Sequence, residues 1–264
     1  MNLDDFRCMR SGRALAMVDP ATQNILAPIE NRNGRNNKAL LMLHGFSSTP
    51  GVYRQVSNQL IGYDAIIAPM LPGHGADLYT FSETKGADWV NYVTTLCSSL
   101  IEEFKQLDVL GLSLGGLLAC HLVNQFQLHH LYLLAPALDL EPKLEFIMSF
   151  AKLLKTLGFI SARNSAGNLF TPGNCEIVYR QIPLTCVIEI YQLVKNFAFS
   201  IPNCPTDIFL GAHDQVVDNK RIIERFKNTE NVHIHNLNNS AHVLPLDGNI
   251  KQIIERINQY NTAV

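Results

Sequence analysis

A single tryptophan, no block of like charge and no long apolar run mark this 264-residue chain. A membrane-spanning helix needs about 20 consecutive apolar residues, and no stretch approaches that. Residues 1–18 offer no uninterrupted apolar core for a secretory signal, because Asp4, Asp5, Arg7, Arg10 and Arg13 break them up. The expectation is a cytoplasmic protein with no stable membrane anchor. The net charge is only −2 and the basic residues are scattered, which excludes an electrostatic footprint for nucleic acid. The six cysteines, Cys8, Cys97, Cys120, Cys175, Cys186 and Cys204, form no Cys-x-x-Cys pair. None stands at metal-ligand spacing from a histidine pair, so no metal site is expected. Cys97 and Cys120 lie in apolar helical runs, and buried reduced thiols are the expected state of the set.

What is present is a large apolar fraction, 47%, in a chain long enough for one large α/β domain or two small ones. Compact apolar runs at residues 38–44, 64–69, 107–112, 131–134, 207–210 and 232–237 read as strands. Periodic stretches at residues 52–61, 88–104, 114–126 and 219–226 read as helices. Their alternation predicts an α/β fold with a mostly parallel central sheet flanked by helices. Residues 31–37, rich in Asn, Gly and Arg, read as an exposed turn. From residue 139 to 200 the alternation breaks. A helical pattern runs to Gly158, a Gly/Asn/Pro-rich passage follows at 164–174, and a second helical stretch covers 183–197. At roughly sixty residues this exceeds a simple crossover, which takes a dozen or more. The expected organisation is a core at 1–138 and 201–264, interrupted by a helical cap at 139–200 ahead of an acid-bearing strand.

Gly111-Leu112-Ser113-Leu114-Gly115 matches G-x-S-x-G between an apolar strand and a small-residue helix. That is the setting in which a sharp turn presents a serine hydroxyl. Such a hydroxyl is a poor nucleophile until a base takes its proton. His242, in a polar loop after the last strand, is the candidate base. Asp214, just past the strand at 207–210, is the candidate to hold its tautomer. Asp218, four residues on, reads instead as a helix N-cap. The N–H groups of Leu114, at a helix start, and of Phe46, in the loop after the first central strand, are candidate oxyanion donors. His44 reads as a brace for that loop. His233 and His235 alternate within a strand and lack further ligands.

The segments LLMLHGFSSTP, LPGHG, GLSLGG, GAHDQVV and SAHVLPLD resemble those of the α/β-hydrolase superfamily, in the same order. Within it they look most like the bacterial carboxylesterase and monoacylglycerol lipase-like group. The resemblance implies a Ser113–Asp214–His242 triad, an oxyanion hole at Phe46 and Leu114, and cleavage of small-molecule carboxylic esters without a cofactor. It also implies a cap over an apolar acyl pocket, for which Leu144, Phe146, Ile147, Phe150, Tyr191 and Val194 are the candidate lining residues. Plain core packing is the alternative use of those six. The same triad serves amidases, peptidases, thioesterases and acyltransferases, and a hydrolase fold also binds ligands without turnover. The sequence leaves the oligomeric state and the role of residues 1–37 open.

Overall fold

The computed structural model describes residues 3–164 and 167–262. An N-terminal hairpin, β1 (Phe6–Arg10) and β2 (Arg13–Met17), precedes β3 (Ile29–Arg32) and β4 (Lys38–Leu43). Then come α1 (Arg54–Ser57), β5 (Ala65–Ala68), α2 (Leu78–Glu83), α3 (Gly86–Glu103), β6 (Gln106–Leu112), α4 (Leu114–Val123) and β7 (His130–Leu134). The next segment holds α5 (Pro142–Ser149), α6 (Ala151–Thr156), β8 (Ser161–Arg163), β9 (Glu176–Tyr179), β10 (Gln181–Pro183) and α7 (Leu184–Lys195). The chain closes with β11 (Thr206–Gly211), α8 (Asn219–Arg225), β12 (Val232–Leu237) and α9 (Ile250–Thr262).

Seven strands form the central sheet in the order β12-β11-β7-β6-β4-β5-β3. All pairings are parallel except β3 with β5. The inner strands are buried along nearly their whole length, which is why they read as unbroken apolar runs rather than alternations. The chain runs outward from β4 to β5 and then returns to lay β6 on the other side of β4. That reversal opens a crevice at the carboxyl ends of β4 and β6, where ligand sites of open α/β sheets lie.

The structure differs from the sequence reading in several places. Residues 31 and 32, read as turn, belong to β3, an edge strand in which only Ile29 is buried. Its polar face leaves no apolar run to detect. The helix expected over 52–61 shrinks to a 3-10 turn, Pro50–Tyr53, and the four residues of α1. The segment between β7 and β11 carries three short strands as well as helices. One of them, β9, pairs with β1, so the N-terminal hairpin is anchored to that segment and not to the central sheet.

The same pairing corrects the cysteine reading. It brings the Cα atoms of Cys8 and Cys175 to 5.5 Å, and the two form a disulfide. Sequence spacing cannot reveal a bond between residues 167 positions apart. Cys97, Cys120, Cys186 and Cys204 are free and buried, as expected.

Candidate active site

Ser113 sits between β6 and α4 with φ 54° and ψ −112°, a left-handed conformation that costs a side-chain-bearing residue on the order of 1–3 kcal/mol. The turn is held from both sides. The Ser113 N–H donates to Leu134 O of β7 at 3.0 Å, and Ser113 O accepts from Leu117 N and Ala137 N. Two glycines make it sterically possible. A Cβ on Gly115 would lie 1.9 Å from Leu43 O, and one on Gly111 would lie 2.2 Å from Gly115 O. Small residues here let α4 start directly against β4 and β6.

His242 follows β12. Its Nδ1 donates to Asp214 Oδ2 at 2.8 Å, leaving Nε2 as the free ring nitrogen of this pair. The other oxygen, Asp214 Oδ1, accepts from Val216 N at 2.7 Å and Val217 N at 3.1 Å, which fixes the carboxylate. Burial works against a charge on His242. The Asp214 carboxylate, by charge and hydrogen bond, and Glu176 outweigh it and hold the imidazole pKa above the ordinary histidine value. Asp218 caps α8, accepting from Lys220 N and Arg221 N.

The loops bearing Asp214 and His242 are tied together by Asn168, which lies in no motif, and by Asp247, the last residue of the SAHVLPLD segment. Asn168 O accepts from His242 N, while its side chain donates to His213 O and accepts from Gln215 N. Asp247, nearly fully buried, accepts from Ala241 N, Phe170 N and Thr171 N, each at 2.8 Å. These two side chains add to the backbone bonds that His242 N and Val243 N donate to Asn168 O across the same gap.

On the opposite side, the loop after β4 abuts the serine: a Cβ on Gly45 would stand 3.5 Å from Ser113 Cβ. The loop is braced by two buried histidines. His44 Nε2 accepts from Leu71 N at 3.1 Å and its Nδ1 faces Gly45 O at 2.9 Å. His74 Nε2 accepts from Ser47 N at 3.2 Å and its Nδ1 faces Pro72 O. This network assigns both rings as neutral, with the proton on Nδ1. Burial pushes His44 down to about 4 and His74 well below the usual value.

Ser113, His242, Phe46 and Leu114 line one cavity of about 230 Å³ with a largely apolar wall. Of the six residues expected to line an acyl pocket, Leu144 and Ile147 do so. Phe146 and Phe150 instead pack on each other, edge to face, with both rings exposed. Tyr191 and Val194 line a separate hollow beside Asp139, Lys195, Arg221 and Arg225. The cause is helical phase: α5 turns only part of its apolar stripe inward, and on α7 Val187 and Ile190 face the cavity instead.

One cavity residue had no signal in the sequence. Glu176, at the start of β9, is 5% exposed and accepts from Ser48 Oγ at 2.5 Å. A Cβ on Gly167 would lie 3.1 Å from His242 Cδ2 and 3.8 Å from Glu176 Oε2, so carboxyl and imidazole flank the same stretch of backbone. Burial pushes the Glu176 carboxyl up to about 7, against the opposing pull of the Ser48 hydroxyl and the His242 charge. Of the remaining histidines, His130 and His235 bond to Asp207 together with Arg256. Among the described residues, no group of three or more His, Cys, Asp or Glu is arranged to hold a metal ion.

A strand-turn-helix serine at the switch point of a mostly parallel sheet defines the class. Residues 40–249 match the Alpha/beta hydrolase family, and the chain belongs to it. It is similar to the thermostable monoacylglycerol lipase of Bacillus sp. (strain H-257), at 28% identity over 82% of this chain and 87% of that protein. Among solved structures, it superposes on a metagenome-derived lipolytic enzyme of the LipS and LipT study with a TM-score of 0.77, at 22% identity over 90% of this chain and 98% of the other. The monoacylglycerol lipase of Paleococcus ferrophilus gives 0.69 at 15% identity, over 90% and 98% of the two chains. These two likenesses establish the fold: an α/β-hydrolase with a seven-strand sheet.

Proposed function

We propose that the protein is a serine esterase acting on small carboxylic esters of the monoacylglycerol kind. The observation that carries this reading is the pairing of His242 with Asp214 at 2.8 Å beside a cavity that also holds the strained Ser113. Ser113 Oγ attacks the ester carbonyl as His242 takes its proton. The N–H groups of Phe46 and Leu114 receive the oxyanion. His242 then passes the proton to the leaving alcohol, and water, activated in turn by His242, releases the acid from Ser113. A cavity of about 230 Å³ is below the usual range for drug-sized ligands, which favours one acyl chain over several. Apolar residues from α5, α6 and α7 supply the chain's wall, which supports treating residues 139–200 as a cap. Glu176, Ser48 and Asn164 give the cavity a polar end suited to the hydroxyls of a small alcohol.

The expected cytoplasmic location sits against the Cys8–Cys175 bond, because disulfides persist mainly in oxidising compartments. Thiol counting on protein from its native cell decides between them.

The reading is tested by fluorophosphonate labelling together with an ester panel graded in acyl length. Wild type is labelled at Ser113 and prefers single-chain esters, while Ser113→Ala and His242→Ala lose both labelling and turnover. Turnover retained by a folded Ser113→Ala protein would sink the mechanism. Preference for amide, thioester or acyl-acceptor substrates in the same panel would redirect the activity while keeping the site.

A further inference from the structure

The small sheet β2-β1-β9 bears on both sides of the site. Its strand β9 carries Glu176 and Tyr179. Glu176 accepts from Ser48, in the loop of Phe46. Tyr179 Oη donates to Gly73 O at 3.0 Å, next to His74, whose Nε2 accepts from Ser47 N in that same loop. From β1, Arg10 Nη2 donates to Leu169 O and Phe170 O, in the segment that Asp247 ties to the His242 loop. One sheet thus buttresses the Phe46 loop and the His242 loop together.

The hairpin's own hold is slender. β2 is exposed along its whole length, and β1 buries only Phe6 and Met9. β1 meets β9 over just four residue pairs. The Cys8–Cys175 bond fastens that contact, and Cys175 immediately precedes Glu176. Both cysteines are half-exposed, so a thiolate in solution can reach the bond. The four free cysteines are buried and out of reach. The central sheet shares no strand with the small one, so opening the bond leaves the main core in place.

We propose that the Cys8–Cys175 bond is a reversible redox latch on the active site, opened by a dithiol and closed by oxidation. The first thiolate of the dithiol forms a mixed disulfide with one cysteine, and the other cysteine leaves and takes up a proton. The second thiolate then closes on the first sulfur of the reductant and frees the remaining cysteine. Two electrons and two protons pass to the protein, and the dithiol departs as a disulfide. Reduction loosens β9 from β1, so Glu176 no longer holds Ser48, and the loop carrying the Phe46 N–H loses its brace. The latch rests on the esterase reading only for its effect on turnover, since its opening involves no substrate.

Trp89 supplies a readout independent of catalysis. It is the only tryptophan and is fully buried, with its ring 5.9 Å from that of Phe46 and 5.7 Å from that of His74. The test treats folded wild type with dithiothreitol, alkylates a sample, and follows Trp89 emission and turnover of a soluble ester. Only Cys8 and Cys175 are expected to be alkylated, with a shift in emission. With little change in KM, kcat should fall about tenfold or more, as misplaced catalytic groups imply. Glutathione disulfide should restore both signals. Cys8→Ser is expected to show the reduced emission and kcat permanently and to ignore the reductant. A bond that resists dithiothreitol until the protein unfolds overturns the proposal. So does loss of the fold on reduction, read by far-ultraviolet circular dichroism, because the bond would then be a staple. Complete reduction with emission and kcat unchanged overturns it as well. An emission change that reverses on oxidation, without turnover in either state, would keep the latch and discard the esterase reading.

Discussion

At the scale of single residues, two carboxylates lie close to one imidazole and do different work. Asp214 is bonded to Nδ1 and, in the proposed mechanism, acts by orientation and charge. Glu176 lacks that bond but still supports a charge on His242. A base must be neutral to accept the serine proton, so the acid limb of kcat/KM is expected to have its inflection above pH 6.5. Glu176→Gln removes a carboxyl that, in its ionised form, favours the imidazolium, so it should move that inflection to lower pH. A pH profile of the variant with an inflection unmoved or raised would contradict the arrangement. Asp214→Asn should instead lower kcat by about 10⁴-fold with little change in KM, because it disturbs the tautomer rather than binding. Steady-state kinetics on a soluble ester separate the two cases.

Among elements, the joints between loops matter more than any one helix or strand. Asp247 holds the His242 loop to the segment at 167–171 through four backbone amides, counting Gly248 N at 3.0 Å. Asp247→Ala leaves those donors unsatisfied in a mostly buried place. It is expected to cost about 2–4 kcal/mol of stability in denaturant titration. Activity should fall further than stability alone accounts for, because His242 loses its register with Asp214. A variant of normal stability and kcat would show that the loops hold without the clamp.

These joints also mark where the sequence stops being informative. The five inner strands and the helix after Ser113 were legible because burial on both faces gives uninterrupted apolar runs. Ser113, His242 and Asp214 were legible because each follows such a run, at strand ends that only a loop can occupy. Glu176, Asn168 and Asp247 were not, since their roles depend on a segment between β7 and β11 that has no local period. The β1–β9 pairing was invisible for the same reason, and with it the Cys8–Cys175 bond. Phe146 and Phe150 show the limit of periodicity: a stripe at helical spacing declares that one face is special without saying whether protein or solvent lies beyond it.

For the whole molecule, acid stability is set by groups far apart in the chain. His44 and His74 are buried neutral, and their pKa values are depressed relative to an unfolded chain. Their contribution is therefore complete above about pH 6.5 and is lost as pH falls toward 4. For His44 alone the loss amounts to about 3 kcal/mol. The buried Asp207 carboxylate adds to it at lower pH. Burial opposes its charge, but His130, His235 and Arg256 prevail and hold its pKa below the usual carboxylate range. Urea midpoints measured between pH 7 and 4 are expected to fall steadily. His44→Gln should flatten part of that slope even though it lowers stability at pH 7, whereas an unchanged slope would place the acid sensitivity elsewhere.

The disulfide also gives the chain a covalent topology. Residues 8–175 form a closed ring that contains Ser113, while Asp214 and His242 lie on the linear tail that follows. When the protein is pulled from its termini, the ring cannot extend. About 580 Å of contour length, at about 3.5 Å per residue, stays hidden until the bond is reduced. Force acts instead on the tail, so β12, β11, Asp214 and His242 are drawn away from Ser113, which remains inside the closed ring.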